Sequence, residues 1–223
     1  MKRLALFILA AFMFAQLPLS AQRNVAERAT DKKQIHQGEK NKDRDKAELN
    51  EFNAKIAKLE SAVKTASFVP AQKIRKSLII DMEREIAQAE AKTGQARNEV
   101  NQSRNEVRHE KNEIRRDVRA GRPGRAVRDV RDKRDDQRDL ADDKKDFSDA
   151  ASRLMRQKAI LKQVRSRPAL DGLTKAEVSE QMSLIKDFRN IMVEDLRATK
   201  REIIEDKGEI REDRRETRDD RRR

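Results

Sequence analysis

Between residues 49 and 66 the apolar side chains Leu49, Phe52, Ile56, Leu59, Val63 and Ala66 recur at alternating steps of three and four. Such spacing puts one narrow stripe on an α-helix and nothing on its other faces. A second run, Phe147, Ala150, Leu154, Gln157, Leu161 and Val164, repeats it with each position 98 residues later. Two further stripes follow the same rule: Ile79, Met82, Ile86, Ala89, Ala96, Val100, Val107 and Ile114, then Val178, Met182, Ile185, Met192, Leu196, Ile203 and Ile210. Sustained seams of this kind predict helices that pack in the manner of a coiled coil.

The rest of the composition leaves few other folds open. Charged residues make up 43% of the 223-residue chain, aromatics only 3%, and Trp, Tyr and Cys are absent. A chain so poor in large apolar side chains cannot assemble a wide globular core. Long helices satisfy their own backbone hydrogen bonds and need only a seam, so an all-α architecture is expected. Without cysteine there is neither a disulfide framework nor thiol chemistry.

Three breaks interrupt the periodic runs: Phe68-Val69-Pro70, Gly121-Arg122-Pro123-Gly124, and Arg167 to Gly172. Proline lacks an N–H and has a fixed φ, whereas glycine frees the backbone, so both stop helices. Thr174-Lys175-Ala176-Glu177 has the form of a capping box opening the last helix. These marks predict a hairpin over 22–120 with its loop near 67–72 and a break at 121–124. A second hairpin is predicted over 125–223, with its loop near 166–173 and a charged C-terminal tail. Pro70 and Pro168 share the offset of 98, and Asn112 to Asp117 resembles Gly208 to Asp213 at an offset of 96. An internal duplication of one helix–loop–helix unit accounts for both. The fold expected is therefore two long antiparallel helical hairpins, open to packing as an elongated four-helix bundle. Seams weaken in 115–146 and 204–223, where fraying or solvated single helices are expected.

The first residues read as a secretory signal peptide over 1–21. Lys2 and Arg3 supply the charge, Leu4 to Leu17 the apolar core, and Ser20-Ala21 the small residues before a cut at Gln22. The core is short for a transmembrane span of ~20 residues, and no later run is long enough. Processing removes two cations and no acid, so the net charge falls from +13 to +11. Export to the periplasm or the outside medium is the expectation.

Catalysis finds little support. His36 and His109 lie in different helices, and H-E-x-x-H is left incomplete at His109-Glu110 because residue 113 is Glu. The six glycines form no phosphate cradle. No cofactor and no dedicated metal site is expected. A heptad-spaced stripe of Asp129, Asp132, Asp136, Asp139, Asp143 and Asp146 offers oxygen ligands of the kind divalent cations take. Interleaved Arg128, Arg131, Arg134 and Arg138 compete for those carboxylates.

Arginine forms the other pattern. Arg116, Arg119, Arg122, Arg125, Arg128, Arg131 and Arg134 stand at every third position, and the chain ends Arg221-Arg222-Arg223. A step of three spirals round a helix and gives no single basic face. These ten arginines are the candidate contacts for phosphate or sulfate groups, which guanidinium binds in bidentate fashion. The competing reading is low-complexity sequence that keeps a helix soluble. The partners expected are anionic envelope polymers or lipid headgroups, with non-specific nucleic-acid binding and self-association also open. An alternative function is an envelope chaperone or adaptor that lays its hairpins over apolar client segments, with Met155, Met182 and Met192 as adaptable contacts.

Overall fold

The computed structural model describes the backbone of Leu19–Arg221. Side chains are described from Lys32 to Arg211, except Arg128, Asp171 and Glu209. The leader expected over 1–21 therefore falls almost wholly outside the described residues, as do Arg222 and Arg223. Four long helices carry the fold: α1 (Leu19–Lys64), α2 (Phe68–Arg119), α3 (Pro123–Ser166) and α4 (Lys175–Arg221), with a single 3₁₀ turn at Leu170–Gly172 before α4. No strand occurs among the described residues. The protein is all-α.

Each helix end has a local cause. After α1, Ala66 takes a left-handed φ of 51°, and Ser67 N–H donates to the Ala62 carbonyl at 2.9 Å. After α2, Gly121 takes φ 66°, and Arg122 N–H donates to the Asp117 carbonyl at 2.9 Å. Both are Schellman closures, which satisfy the orphan carbonyls of a helix end. Pro123 opens α3 at its first position, where its missing N–H costs nothing. The capping box at α4 is formed: Thr174 N–H donates to Glu177 Oε2 at 2.8 Å, and Glu177 N–H donates to Thr174 Oγ1 at 3.3 Å. Ala66, placed on the α1 seam by its spacing, serves the turn instead and is exposed.

The chain divides into two compact units, Leu49–Asp195, and Met1–Glu48 joined with Leu196–Arg223. In the first, all four helices contribute to one core. Phe52, Leu59, Leu78, Met82, Ile185 and Phe188 are fully buried there. The rings of Phe52 and Phe188 lie 5.9 Å apart, joining α1 to α4, within the favourable range for aromatic pairs. Lys55 of α1 pairs with Asp81 of α2 at 2.6 Å. Glu83 and Glu90 of α2 pair with Arg165 and Lys158 of α3, and Arg156 of α3 pairs with Glu194 of α4. The α2–α3 pairings fall in number on α3 as they rise on α2, and Arg167–Glu180 with Arg156–Glu194 does the same for α3 and α4. The tight turn after Lys64 reverses α1 into α2, so sequential helices run antiparallel. Such a closed square is the up-down-up-down bundle.

Buried polar groups fix the end of the core near the 3₁₀ turn. Arg75 of α2 is buried, and its Nη2 donates to the carbonyls of Val164 at 2.7 Å and Arg167 at 3.1 Å. With its amide oxygen turned to the guanidinium, Gln181 accepts from Nε at 2.6 Å and Nη2 at 2.9 Å. Arg75 thus satisfies carbonyls left open at the end of α3, the service a C-terminal cation gives a helix. Gln72 accepts from the Leu170 N–H at 3.3 Å beside it.

In the second unit, Gly38 of α1 lies against Ile203 of α4, where a Cβ would stand 2.9 Å from Cγ1. The glycine permits this close approach. Lys207 donates to Glu39 at 2.8 Å alongside. Ile203 and Ile210 are both buried, so the weak seam of α4 is used beyond residue 203. Burial also repeats along the chain: Met82, Glu85, Ala89, Val100 and Ser103 are buried, and so are Val178, Gln181, Ile185, Leu196 and Thr199, each 96 residues later.

Candidate anion-contact surface

α2 and α3 pair along an arm that ends in the turn at Ala120–Arg122. Ser103 Oγ of α2 meets the Asp143 carboxylate of α3, and Val100, Ser103, Glu110 and Ala126 are buried along these helices. The region expected to fray as single helices is instead a helical pair. Val100, Ser103 and Ala126 are the small and apolar side chains that this pairing buries, while Val118, Val127 and Val130 stay outside it.

The arginine row runs through this turn. Arg116 and Arg119 lie in the last turn of α2, Arg122 precedes Pro123, and Arg125 lies in the first turn of α3. All four side chains are exposed, as are Arg131 and Arg134. On one continuous helix the row would spiral; the turn folds it back, so both limbs bring arginine to the same end. Arg116 reaches Glu113 at 4.0 Å and Arg122 reaches Asp117 at 3.8 Å. Arg119, Arg125, Arg131 and Arg134 make no ion pair among the described residues. The side chains of Arg128 and Arg221 lie outside the described ones, so the C-terminal cluster has no described geometry.

Charge changes sign down the arm. From 115 to 131 the chain carries seven arginines and two aspartates, whereas from 132 to 146 it carries five cations and seven aspartates. The aspartate stripe turns partly inward: Asp129, Asp136, Asp143 and Asp146 are half-buried, while Asp132 and Asp139 are exposed. Asp129, Asp132, Asp136 and Asp146 all have polar partners. Burial, then the carboxylates of Asp143, Asp135, Asp142 and Glu106, push Asp139 up to about 6. Its side chain is solvent-facing, so the crowding of neighbouring carboxylates is the firmer part of that rise. Asp143 is raised too, first by burial and against the hydrogen bond from Ser103.

His109, Glu110 and Glu113 bring one ligand atom each within 4.8 Å of one another. His109 and Glu113 are 3.8 Å apart on one helix face, and Glu110 is buried with polar partners of its own. The motif departs from the zinc pattern at its last position, where Glu113 stands in place of histidine. His36, in α1, is exposed.

Exposed apolar side chains are the feature of this surface that the sequence left unmarked. Val118, Val127 and Val130 are 62%, 59% and 36% exposed, and all three lie within about 12 Å of the turn at 1.5 Å per residue. They fall on no seam, and absence from a seam was the available signal. No described helix is long and apolar enough to cross a membrane. Comparison with family models, with curated proteins and with solved structures finds no match to this chain.

Proposed function

We propose that this is a non-enzymatic, exported helical protein of the cell envelope that associates with anionic polymers or headgroups through its arginine-rich segments. One observation carries the reading: seven arginines against two aspartates in residues 115–131, with the described arginine side chains exposed at the end of a helix pair. A guanidinium near an anionic surface contributes ~1 kcal/mol, and Glu113 and Asp117 offset part of that. The C-terminal Arg221, Arg222 and Arg223 add cations to the same task. Export rests on the order of charge, apolar core and small residues in 1–21.

The chaperone reading draws less support. Met192 is buried and Met182 packs against the core, which leaves only Met155 of the three as an adaptable exposed contact. Among the described residues outside the arm, Phe68 and Val69 form one small exposed apolar turn, and Ile80 and Ile204 are isolated in sequence, too little for an extended client-binding face.

Binding to polyphosphate-coated beads across a salt series tests the function. Binding should be firm at low salt and fade as the Debye length shrinks to ~8 Å at physiological ionic strength. Replacing Arg116, Arg119, Arg122 and Arg125 with Gln should weaken it at least ~10-fold, the effect of ~1.4 kcal/mol. Indifference of the wild-type protein to beads and to anionic vesicles at low salt would leave the charge as a solubility device. Mass spectrometry of the native protein should find an N-terminus near Gln22; an intact Met1 would replace export with anchoring.

A further inference from the structure

We infer that the tip of the α2/α3 arm docks on an anionic lipid bilayer, with Val118, Val127 and Val130 entering the headgroup–acyl boundary while the surrounding arginines hold the phosphates. The inference rests on the anion-binding reading above and commits it to one partner. A soluble polyanion is recognised by charge alone and has no use for exposed valines. A bilayer has phosphate outside and hydrocarbon beneath, and a surface that matches it needs cations and apolar side chains together. The tip has both. Val118 and Val127 are well exposed and Val130 less so; along their helices Val118 and Val127 stand within about 8 Å of the turn and Val130 about 12 Å from it. Val118 and Val127 fall within the ~5–10 Å to which interfacial apolar faces are buried, and Val130 lies just beyond its edge.

Charge separates this tip from the other exposed apolar turn. Phe68 and Val69 are also exposed, but the stretch 61–74 around them carries only Lys64 and Lys73 as cations. Charge also opposes a second copy as occupant, since pairing two tips would bring arginine against arginine. The inverted balance at 132–146, five cations against seven aspartates, repels an anionic surface and so confines contact to the end of the arm.

The chain has no Trp, so Val127→Trp installs a single reporter at the tip. With vesicles of phosphatidylcholine and phosphatidylglycerol in equal parts, its emission should shift to the blue, and it should not shift with polyphosphate. A Met155→Trp control, on an exposed position of α3, should stay unshifted with both. The triple variant Val118→Ser, Val127→Ser, Val130→Ser should bind the same vesicles roughly tenfold more weakly and bind polyphosphate as the wild type does. Circular dichroism checks that the variants keep their helix content, and all three positions are exposed. Equal vesicle binding by wild type and triple variant would overturn the docking and leave the anion reading intact. Failure of the wild type on both vesicles and polyphosphate would overturn both. Concentration-dependent association in sedimentation without lipid, abolished in the triple variant, would assign the valines to a second copy and overturn the lipid.

Discussion

The core of the Leu49–Asp195 unit and the outer part of the α2/α3 arm are equally helical and are held by different physics. In the core, Phe52, Leu59, Leu78, Met82, Ile185 and Phe188 are removed from water by four helices at once. In the arm, Val100 and Ala126 are the only buried apolar side chains among the described residues, alongside Ser103 and Glu110. Helix formation is a local matter of backbone bonds, so charged sequence sustains it without a core. Tertiary stability is not local: it scales with apolar area buried. Little of the arm's sequence is therefore committed to packing.

The largest expected effect tests this division directly. Leu78→Ala should destabilise the protein by ~3–4 kcal/mol, through lost transfer energy and a cavity. Val100→Ala, which removes less apolar area beside one partner helix, should cost about 1 kcal/mol. Urea denaturation followed by circular dichroism measures both, and similar losses at the two sites would erase the distinction.

Gln157 sharpens the description of the core. It is 1% exposed and its Oε1 has no hydrogen-bond partner among the described residues. Its counterpart 98 residues earlier is Leu59, equally buried. Gln157→Leu should therefore raise stability by ~1–2 kcal/mol, the cost of leaving a buried polar group unpaired. A lower denaturation midpoint in this variant would mean that the amide is satisfied in solution.

The two Schellman turns make a smaller contrast. Ala66 bears the strain of a positive φ where Gly121 does not. Ala66→Gly should gain about 1 kcal/mol and Gly121→Ala lose a similar amount, since a Cβ in the left-handed region costs ~1–2 kcal/mol and glycine returns part of that in entropy. Equal and opposite shifts in melting temperature would confirm the assignment; a destabilising Ala66→Gly would refute it.

Acidity should act with opposite signs in the two regions. Asp139 at about 6, and Asp143 raised, have folded values above their unfolded ones. Their ionised forms oppose pairing, so the arm should tighten as pH falls from 7 through 6 towards 4. Near the core, the Glu177 carboxylate is held low by the Thr174 backbone N–H and hydroxyl, and the Glu180 carboxylate by Arg167. Their stabilising contribution is present above the ordinary glutamate range and is lost as pH falls below it. Hydrogen exchange corrected for intrinsic rates should show amides of 136–146 better protected at pH 5 than at pH 7. Asp139→Asn with Asp143→Asn should flatten that dependence; an undiminished slope would place its origin elsewhere.

Much of this was legible before any tertiary structure. Alternating steps of three and four specify a stripe on a helix, and the stripes of α1 and α3 contain Phe52, Ile56, Leu59, Leu161 and Val164, all buried. The capping box at Thr174 was legible because both its bonds join residues three apart. Net charge and the arginine row are properties of the chain in any conformation.

Tertiary structure decided what periodicity leaves degenerate. Leu78, Ile79 and Ile80 are adjacent, and spacing favours Ile79, yet Leu78 is fully buried and Ile80 is exposed. Phe188, Gln181 and Arg75 are buried without standing on any stripe read from the sequence; Arg75 is tolerable there only because carbonyls at the end of another helix meet its guanidinium. Gly38 looks like a flaw in α1 until Ile203 is seen to need its missing side chain. The arginine row becomes a surface only because Gly121 reverses the chain within it. A helix fixes where a side chain points round its own axis; which neighbour it meets depends on residues far away in the sequence, and only their packing together decides it.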